Sequence, residues 1–170
     1  FKDLIRRKIN LWYFKYARVP FTGVNEEFHD NGQLWKKENY KNRKPHGLWQ
    51  RYWDNGHLQE KGKYKDGKKR GLWENYWHEN KLFYKQCYKN GERHGPFEMY
   101  TENGRLIIKT NYKDGKKHGL SESYDYDDEP LSQSYYKDGE MYEISECYDD
   151  DDEPFHQSYY KDGEMYDIWD

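Results

Sequence analysis

The chain is poor in the residues that usually build and cross-link a globular core. Only 34% of its 170 residues are hydrophobic, and it has two cysteines, three methionines and five prolines. No apolar run is long enough to span a membrane, and no secretory signal peptide is recognisable. Two cysteines provide no disulfide framework, so the composition indicates a reduced, cytoplasmic protein.

Aromatic residues are abundant by contrast. They make up 19% of the chain, with 19 Tyr and 7 Trp. Disordered chains are poor in aromatic residues, so this chain is expected to fold. Few aliphatic residues and many rings favour a thin sheet, in which neighbouring units supply most of the stability.

The sequence repeats every 24 residues. One glycine column and one tyrosine column show the period: Gly23, Gly47, Gly71, Gly95 and Gly119, and Tyr52, Tyr76, Tyr100, Tyr124 and Tyr148. A fixed period of this length indicates a stacked array of one small unit. Such an array offers an extended surface rather than a pocket, which favours binding over catalysis.

Each repeat contains two strand-like runs separated by Asn-Gly or Asp-Gly, as at 55–56 and 66–67. Both dipeptides predict type I′ hairpin turns, in which both central residues have positive φ. Asn80 replaces the glycine in one copy, and asparagine tolerates the left-handed region. We therefore predict an all-β fold, an extended antiparallel β-meander of stacked 24-residue β-hairpin repeats.

Three segments divide this continuous array. Residues 1–20 do not repeat, and Phe1, Leu4, Ile5 and Ile9 have the spacing of a short amphipathic helix, which predicts an N-terminal cap. Residues 21–119 form basic and aromatic repeats. Residues 120–170 form acidic repeats, in which 120–143 and 144–167 agree at 18 of 24 positions.

The recurring Leu and Tyr columns all have even numbers, so we expect them to share one semi-buried face. Val24, Leu48, Leu72, Leu120 and Ile144 form one such column. An aromatic patch is expected on the opposite face: Trp49, Trp53, Trp73, Trp77 and Phe97. Contiguous exposed rings mark a partner site. The alternative is that the patch packs on the N-terminal segment or within the sheet's own curl.

Charge divides the chain into two halves. Residues 1–119 hold 27 Lys and Arg against 14 Asp and Glu, whereas residues 120–170 hold 2 against 18. Two loops concentrate the acidic residues: Asp125, Asp127, Asp128 and Glu129, and Asp149, Asp150, Asp151, Asp152 and Glu153. A carboxylate row with interleaved Tyr imitates part of the field of a nucleic acid. The alternative is charge that keeps the protein soluble or blunts a sheet edge.

No residues suggest catalysis, a cofactor or a metal site. A Glu/Gln column recurs once per repeat and is expected to pair with neighbouring Lys or Tyr: Glu26, Gln50, Glu74, Glu98, Glu122 and Glu146. His46, His94 and His118 share a turn position that Arg70 also occupies, which a metal ligand or a base would not allow. The run 149–153 lacks the alternating spacing and central Gly of a calcium loop.

Tyr-Lys-Asp-Gly-Lys-Lys-His-Gly at 112–119, followed by a strand, resembles the MORN repeat. The variant-2 form in bacterial YwqK-type antitoxin components is more similar, and Pro20-Phe21-Thr22-Gly23 resembles the entry to its first repeat. The resemblance covers residues 20–119 well and 120–170 loosely. It implies a β-hairpin array and a non-enzymatic binding role.

Two functions are therefore expected. In the first, the protein is an antitoxin-like or phage-type inhibitor whose acidic repeats engage a basic nucleic-acid-handling protein, such as a nuclease or a CRISPR effector. In the second, it is a structural scaffold that uses its basic half on anionic membranes or RNA. Lipid or RNA binding would then map to residues 1–119, and inhibition to residues 120–170.

Overall fold

The computed structural model describes residues 21–126, 129–148, 154–161 and 164–166, and the regular elements in these ranges are all β-strands. The strands are β1 Gly23–Phe28, β2 Leu34–Lys41, β3 Lys44–Tyr52, β4 Leu58–Lys65, β5 Lys68–Tyr76, β6 Leu82–Lys89, β7 Glu92–Tyr100, β8 Leu106–Lys113, β9 Lys116–Tyr124, β10 Pro130–Lys137, β11 Glu140–Tyr148, β12 Pro154–Lys161 and β13 Glu164–Tyr166. Each pairs antiparallel with its sequence neighbours, so the thirteen described strands follow chain order in one sheet. The predicted β-meander is confirmed. The N-terminal cap predicted for residues 1–20 lies outside the described residues.

Two-residue turns join β2 to β3, β4 to β5, β6 to β7, β8 to β9 and β10 to β11, and they form one side of the sheet, the turn edge. In the β4–β5 turn, Asp66 and Gly67 have φ of 52° and 86°. Both values lie in the left-handed region, as a type I′ turn requires. The prediction is therefore confirmed for Asp-Gly and its equivalents in these turns.

Five-residue connections join β1 to β2, β3 to β4, β5 to β6 and β7 to β8, and they form the opposite side, the loop edge. The first and last residues of each are hydrogen-bonded, as Trp53 N–H is to His57 O at 2.8 Å, which leaves a three-residue loop between them. In the β3–β4 loop only Gly56 has positive φ, at 82°, and its N–H donates to Trp53 O at 3.0 Å. This is a type I turn followed by a left-handed residue. The type I′ prediction is therefore wrong for the Asn-Gly dipeptides of the loop edge, because each loop contains one residue more than a two-residue turn. It holds for Asn90-Gly91 on the turn edge, where φ is 54° and 94°. Asn80 takes the glycine's place with φ of 61°, as expected.

Neighbouring turns are hydrogen-bonded to one another across the repeats. Gly67 N–H donates to Pro45 O at 2.8 Å, and Gly91 N–H donates to Lys69 O at 2.9 Å. The loop edge has similar bonds, since Asn31 Nδ2 donates to Asp54 O at 2.7 Å. Each edge of the sheet is therefore a row of linked hairpin tips, spaced two strands or about 9.6 Å apart.

The pairing register overturns the predicted single even-numbered face. Trp49 pairs with Gly62 and Trp73 pairs with Gln86, so odd positions of one strand share a face with even positions of the next. A two-residue turn by itself pairs odd positions with even ones. A three-residue loop gives the same odd–even pairing only together with a bulge, such as the one between Arg51 and Tyr52.

The two faces consequently differ from the expectation. The face that carries Trp49, Trp73 and Phe97, here called the ring face, also carries the even positions of β4, β6 and β8. The other face, here called the ladder face, carries the expected core column, and its members are exposed: Val24, Leu48, Leu72 and Leu120. The predicted even-numbered face is thus divided: Tyr64, Tyr88 and Tyr112 lie on the buried ring face, whereas the Val and Leu column is exposed on the ladder face.

Candidate functional site

The predicted aromatic patch is not a continuous exposed surface. Trp73 is only 2% exposed and is the most buried hydrophobic residue of the described chain. Its ring lies 5.3 Å from Trp49, 5.1 Å from Tyr64 and 6.2 Å from Tyr88 between centroids. The ring face is therefore the core of the sheet here, and Trp73 is not available to a partner.

The other four residues of the patch are half-buried and lie in separate groups. Trp53 stacks on His78 at 4.0 Å, and Trp77 packs on Phe83 at 4.2 Å, both near the loop edge. Phe97 packs between tyrosines of the neighbouring strands, Tyr84 at 5.9 Å and Tyr112 at 6.3 Å. These contacts agree with the alternative expectation, in which the rings pack within the sheet itself.

Two buried carboxylates stabilise the same face. Glu38, 8% exposed, accepts hydrogen bonds from Trp49 Nε1 at 2.9 Å and Tyr40 OH at 3.1 Å, and it pairs with Lys36 Nζ at 3.2 Å. Burial raises the pKa of Glu38, but the hydrogen bonds from Trp49 and Lys36 outweigh it and leave the pKa below its ordinary value. A carboxylate held as an anion in this way cannot act as a general acid.

Glu60, 7% exposed, is the second of these carboxylates. It accepts a hydrogen bond from Arg51 Nη2 at 2.7 Å and pairs with Lys69 Nζ at 3.4 Å. Lys69 also lies 3.7 Å above the Trp73 ring, so the cation joins the carboxylate to the aromatic core. These contacts give the buried Glu60 carboxylate a structural role.

Glu74 and Glu98 of the Glu/Gln column lie on the ladder face and form the expected pairs. Lys61 Nζ lies 2.9 Å from Glu74, and Lys85 Nζ lies 2.8 Å from Glu98. Tyr100 OH also donates to Glu98. The column is a cross-strand ladder, which gives no support to acid–base catalysis.

The histidines expected at the turns are the third residues of β3, β7 and β9, beside the turns and not within them. His46 Nδ1 lies 3.2 Å from Asp66 Oδ1, and His94 Nδ1 lies 3.2 Å from Asp114 Oδ1. Each His therefore bonds the aspartate of the following turn. Where Arg70 replaces the histidine, the residue twenty positions later is Asn90 instead of aspartate, so the two positions change together within the chain.

Part of the predicted acidic site is described. Asp125 N–H donates to Glu129 O at 3.0 Å, the same closing bond that the other loops make, so this loop continues the loop edge. Arg105 donates to Tyr126 O and lies over its ring at 5.1 Å. Asp127, Asp128 and 149–153 lie outside the described residues.

Exposed apolar side chains accompany these acids. Tyr126 is 79% exposed, Leu131 71% and Met141 54%, the three highest values among the large hydrophobic residues of the described chain. All three come after residue 121 in the chain. There a serine takes the ring-face position that Trp73 and Phe97 occupy in the two preceding repeats. The sequence analysis did not identify them.

The structure also separates charge between the two edges. The turn-edge segments 41–46, 65–70, 89–94 and 113–118 hold twelve Lys and Arg against three Asp and Glu. The loop-edge segments 29–33, 53–57, 77–81 and 101–105 hold two against four. The charge asymmetry seen along the sequence is thus accompanied by one across the sheet.

The described ranges contain no group of three or more His, Cys, Asp or Glu side chains that would hold a metal ion. A separate search of these ranges for a helix of membrane-spanning length and apolarity also gave no candidate. Cys87 in β6 is a free thiol, and Cys147 lies five strands away in β11. Burial raises the pKa of the Cys87 thiol, which disfavours a reactive thiolate.

A family model described as a MORN repeat variant matches residues 21–42, 45–66, 69–90 and 93–114. No curated protein sequence matches the chain. Among solved structures, the chain is similar to one titled "Crystal Structure of TarM", with a TM-score of 0.29 and 16% sequence identity over 76% of this chain and 23% of that one. The chain thus spans about a quarter of that structure's length, and at this TM-score the likeness carries no functional argument.

Proposed function

The chain belongs to the MORN repeat variant family, and we propose that it is a non-enzymatic, cytoplasmic protein that binds and inhibits a protein partner. Its acidic C-terminal repeats engage a basic, nucleic-acid-binding surface, such as that of a nuclease or a CRISPR effector. The role is antitoxin-like or that of a phage-type inhibitor, in line with the resemblance to YwqK-type antitoxin components.

The observation that carries this proposal is the exposure of Tyr126, Leu131 and Met141 within the acidic repeats. Exposed apolar groups surrounded by charge are the usual composition of a protein-binding surface, in which aromatic anchors supply affinity and charges supply orientation. Tyr126 lies within the loop that contains Asp125 and Glu129, and Leu131 follows that loop in β10. A basic partner therefore meets apolar anchors and carboxylates together.

The test replaces the acidic residues of 125–129 and 149–153 with Asn or Gln. A partner captured on the immobilised chain is identified by mass spectrometry and purified, and its affinity is then measured at low salt. We expect a loss of at least about tenfold, because rim charges steer association and orient the partner. The control replaces Asp30, Asp54, Glu79 and Glu102 on the loop edge, outside the acidic repeats, and leaves affinity unchanged. Equal affinity for all variants would remove the electrostatic mechanism.

A second pair of variants tests the apolar anchors. Tyr126→Ala and Leu131→Ala are expected to weaken binding of the same partner without unfolding the sheet, because both side chains are exposed. Inhibition of the partner's nucleic-acid binding should weaken in parallel with affinity. Retained inhibition in both variants would contradict the proposed surface.

The alternative is a scaffold that binds an anionic membrane or RNA through its basic half. The twelve cationic residues of the four turn-edge segments favour it. Charge substitutions in 125–129 leave the turn edge intact and so separate the two functions. Loss of protein-partner binding in those variants supports the inhibitor. Retained ligand binding in those variants, together with its loss when turn-edge lysines are substituted, supports the scaffold.

A further inference from the structure

Like charges face one another at three of the two-residue turns. Lys41 pairs directly with Lys44, Lys65 with Lys68, and Lys113 with Lys116. Directly opposed like charges destabilise a sheet. At two other two-residue turns the opposed residues carry opposite charges instead: Lys89 pairs with Glu92, and Lys137 pairs with Glu140.

These six lysines, here called the turn-edge lysines, are all exposed. Within the described ranges none of them forms an ion pair or lies over an aromatic ring. Two acidic side chains of the same turns, Asp66 and Asp114, bond to histidines of the preceding turn. The positive charge of the turn edge therefore faces solvent largely uncompensated.

The turns are held as a regular row. Hydrogen bonds link each to the next, including Gly115 N–H to Arg93 O at 2.9 Å. The side chains of Lys44, Lys68 and Lys116 lie against the following turn, as a Cβ placed on Gly91 would be 3.6 Å from Lys68 Cβ. Neighbouring tips consequently lie about 9.6 Å apart along a line. The Lys–Lys pairs stand at the first, second and fourth tips, and Lys89 and Arg93 supply the positive charge of the third. A ligand matching this arrangement is a linear polymer with regularly spaced negative charges.

A row of stacked cations and rings runs beside the turn-edge lysines on the ring face. Arg93 lies over Tyr112 at 5.1 Å, and Lys117 lies over Tyr136 at 4.5 Å. A basic track beside aromatic and guanidinium planes is the combination that holds single-stranded nucleic acids without sequence preference. The turn tips, such as Asn42-Arg43 and Asp114-Gly115, contain no apolar residue that would insert into a membrane.

We propose that the turn edge binds single-stranded nucleic acid, with the turn-edge lysines on its phosphates and the adjoining Tyr and Arg side chains against its bases. This ligand belongs to the basic repeats alone. The proposal therefore stands or falls separately from the protein-binding role of the acidic repeats.

The test uses the full chain and a labelled 20-nucleotide oligo(dT), with binding followed by fluorescence anisotropy across a potassium chloride series. The variant Lys44→Glu/Lys68→Glu/Lys116→Glu converts the three like-charged pairs into the Lys–Glu pairs that the chain already uses at Lys89 and Lys137. We expect its Kd to rise at least about tenfold at low salt. The slope of log K against log salt should fall by roughly 2, because three phosphate contacts are lost.

The same variant provides a second readout that a folding defect would not imitate. Without nucleic acid its thermal unfolding midpoint should rise, since opposed like charges have become opposite charges. The matched control is Lys37→Glu/Lys81→Glu/Lys109→Glu, which makes the same change in net charge away from the turn edge. It should retain most of the affinity for oligo(dT).

Four outcomes would overturn the proposal. These are no binding of oligo(dT) by the unsubstituted chain, equal weakening by the control variant, tighter binding of a 20-base-pair duplex than of the single strand, and lysine-dependent binding of phosphatidylserine vesicles without binding of oligo(dT). Weakening confined to the turn-edge variant, together with its raised unfolding midpoint, would support it.

Discussion

The ring of Trp73 lies directly over the backbone of Gly62, so closely that a Cβ on this glycine would be 2.1 Å from Trp73 Cδ2. Gly62 occupies the ring-face position between Trp49 and Trp73, whereas Gln86 and Thr110 occupy the equivalent positions in the next two repeats. Two tryptophans leave room only for glycine between them. The smallest residue at this position thus lies between the two largest neighbours.

Gly62→Ala is expected to destabilise the protein by about 1–3 kcal/mol, because the added methyl group must displace a buried ring. Chemical unfolding followed by tryptophan fluorescence measures the change. The double variant Gly62→Ala/Trp73→Leu should lose less stability than the two single variants together, since leucine vacates the space above the new methyl group. Strict additivity in this cycle would contradict the contact.

Trp73→Ala is expected to reduce the free energy of unfolding by about 3–5 kcal/mol, the range for removing a buried aromatic side chain. The neighbouring Leu72 is the matched control. It is 47% exposed on the ladder face, so Leu72→Ala should cost less than about 1 kcal/mol. Equal losses in urea unfolding would mean that the assignment of the two faces is wrong.

Asn80 adopts the left-handed conformation, and its Oδ1 accepts a hydrogen bond from Leu58 N–H at 2.9 Å. Asn80→Ala loses this bond and places a less tolerant residue at φ of 61°, so we expect a loss of about 2 kcal/mol. Asn80→Gly loses the bond but relieves the backbone, and its net change should be within about 1 kcal/mol. Thermal unfolding of the two variants compares their midpoints. A lower midpoint for Asn80→Gly than for Asn80→Ala would contradict this prediction.

Burial and the nearby Glu38 carboxylate raise the pKa of Tyr40 to about 12. The unfolded tyrosine has a pKa of about 10. Above pH 10 the unfolded state therefore releases its proton first, and the contribution of Tyr40 to stability falls as the pH rises toward 12. Below pH 10 this contribution is fully present.

Tyr40→Phe removes the titrating group and its hydrogen bond to Glu38. At pH 7 the variant should be less stable by about 1 kcal/mol. The difference from the unsubstituted chain should shrink between pH 10 and pH 12, which unfolding at pH 7, 9 and 11 would measure. A difference that stays constant over this range would contradict the raised pKa of Tyr40.

Much of the fold was predictable because its signals are local. The 24-residue period, the Asp-Gly turns and the left-handed Asn80 each depend on a few adjacent residues, and the structure confirms them. The exposed Tyr126 and Leu131 were not predicted, because their exposure depends on which residues lie across neighbouring strands. Trp73 was placed on the correct strand, but the sequence left open whether its face is exposed or packed, and in the structure it is the centre of the core.

The sequence by itself determined the repeating unit, the antiparallel order of its strands and the residues of its turns, since backbone conformation follows from neighbouring side chains. Only the tertiary structure decided which face is buried. Each hairpin connection shifts the pairing by one position, and a shift of one residue moves a whole column of side chains to the other side of a sheet. The row of lysines along the turn edge also depends on the tertiary structure, because charges 24 residues apart become neighbours only when the hairpins are stacked.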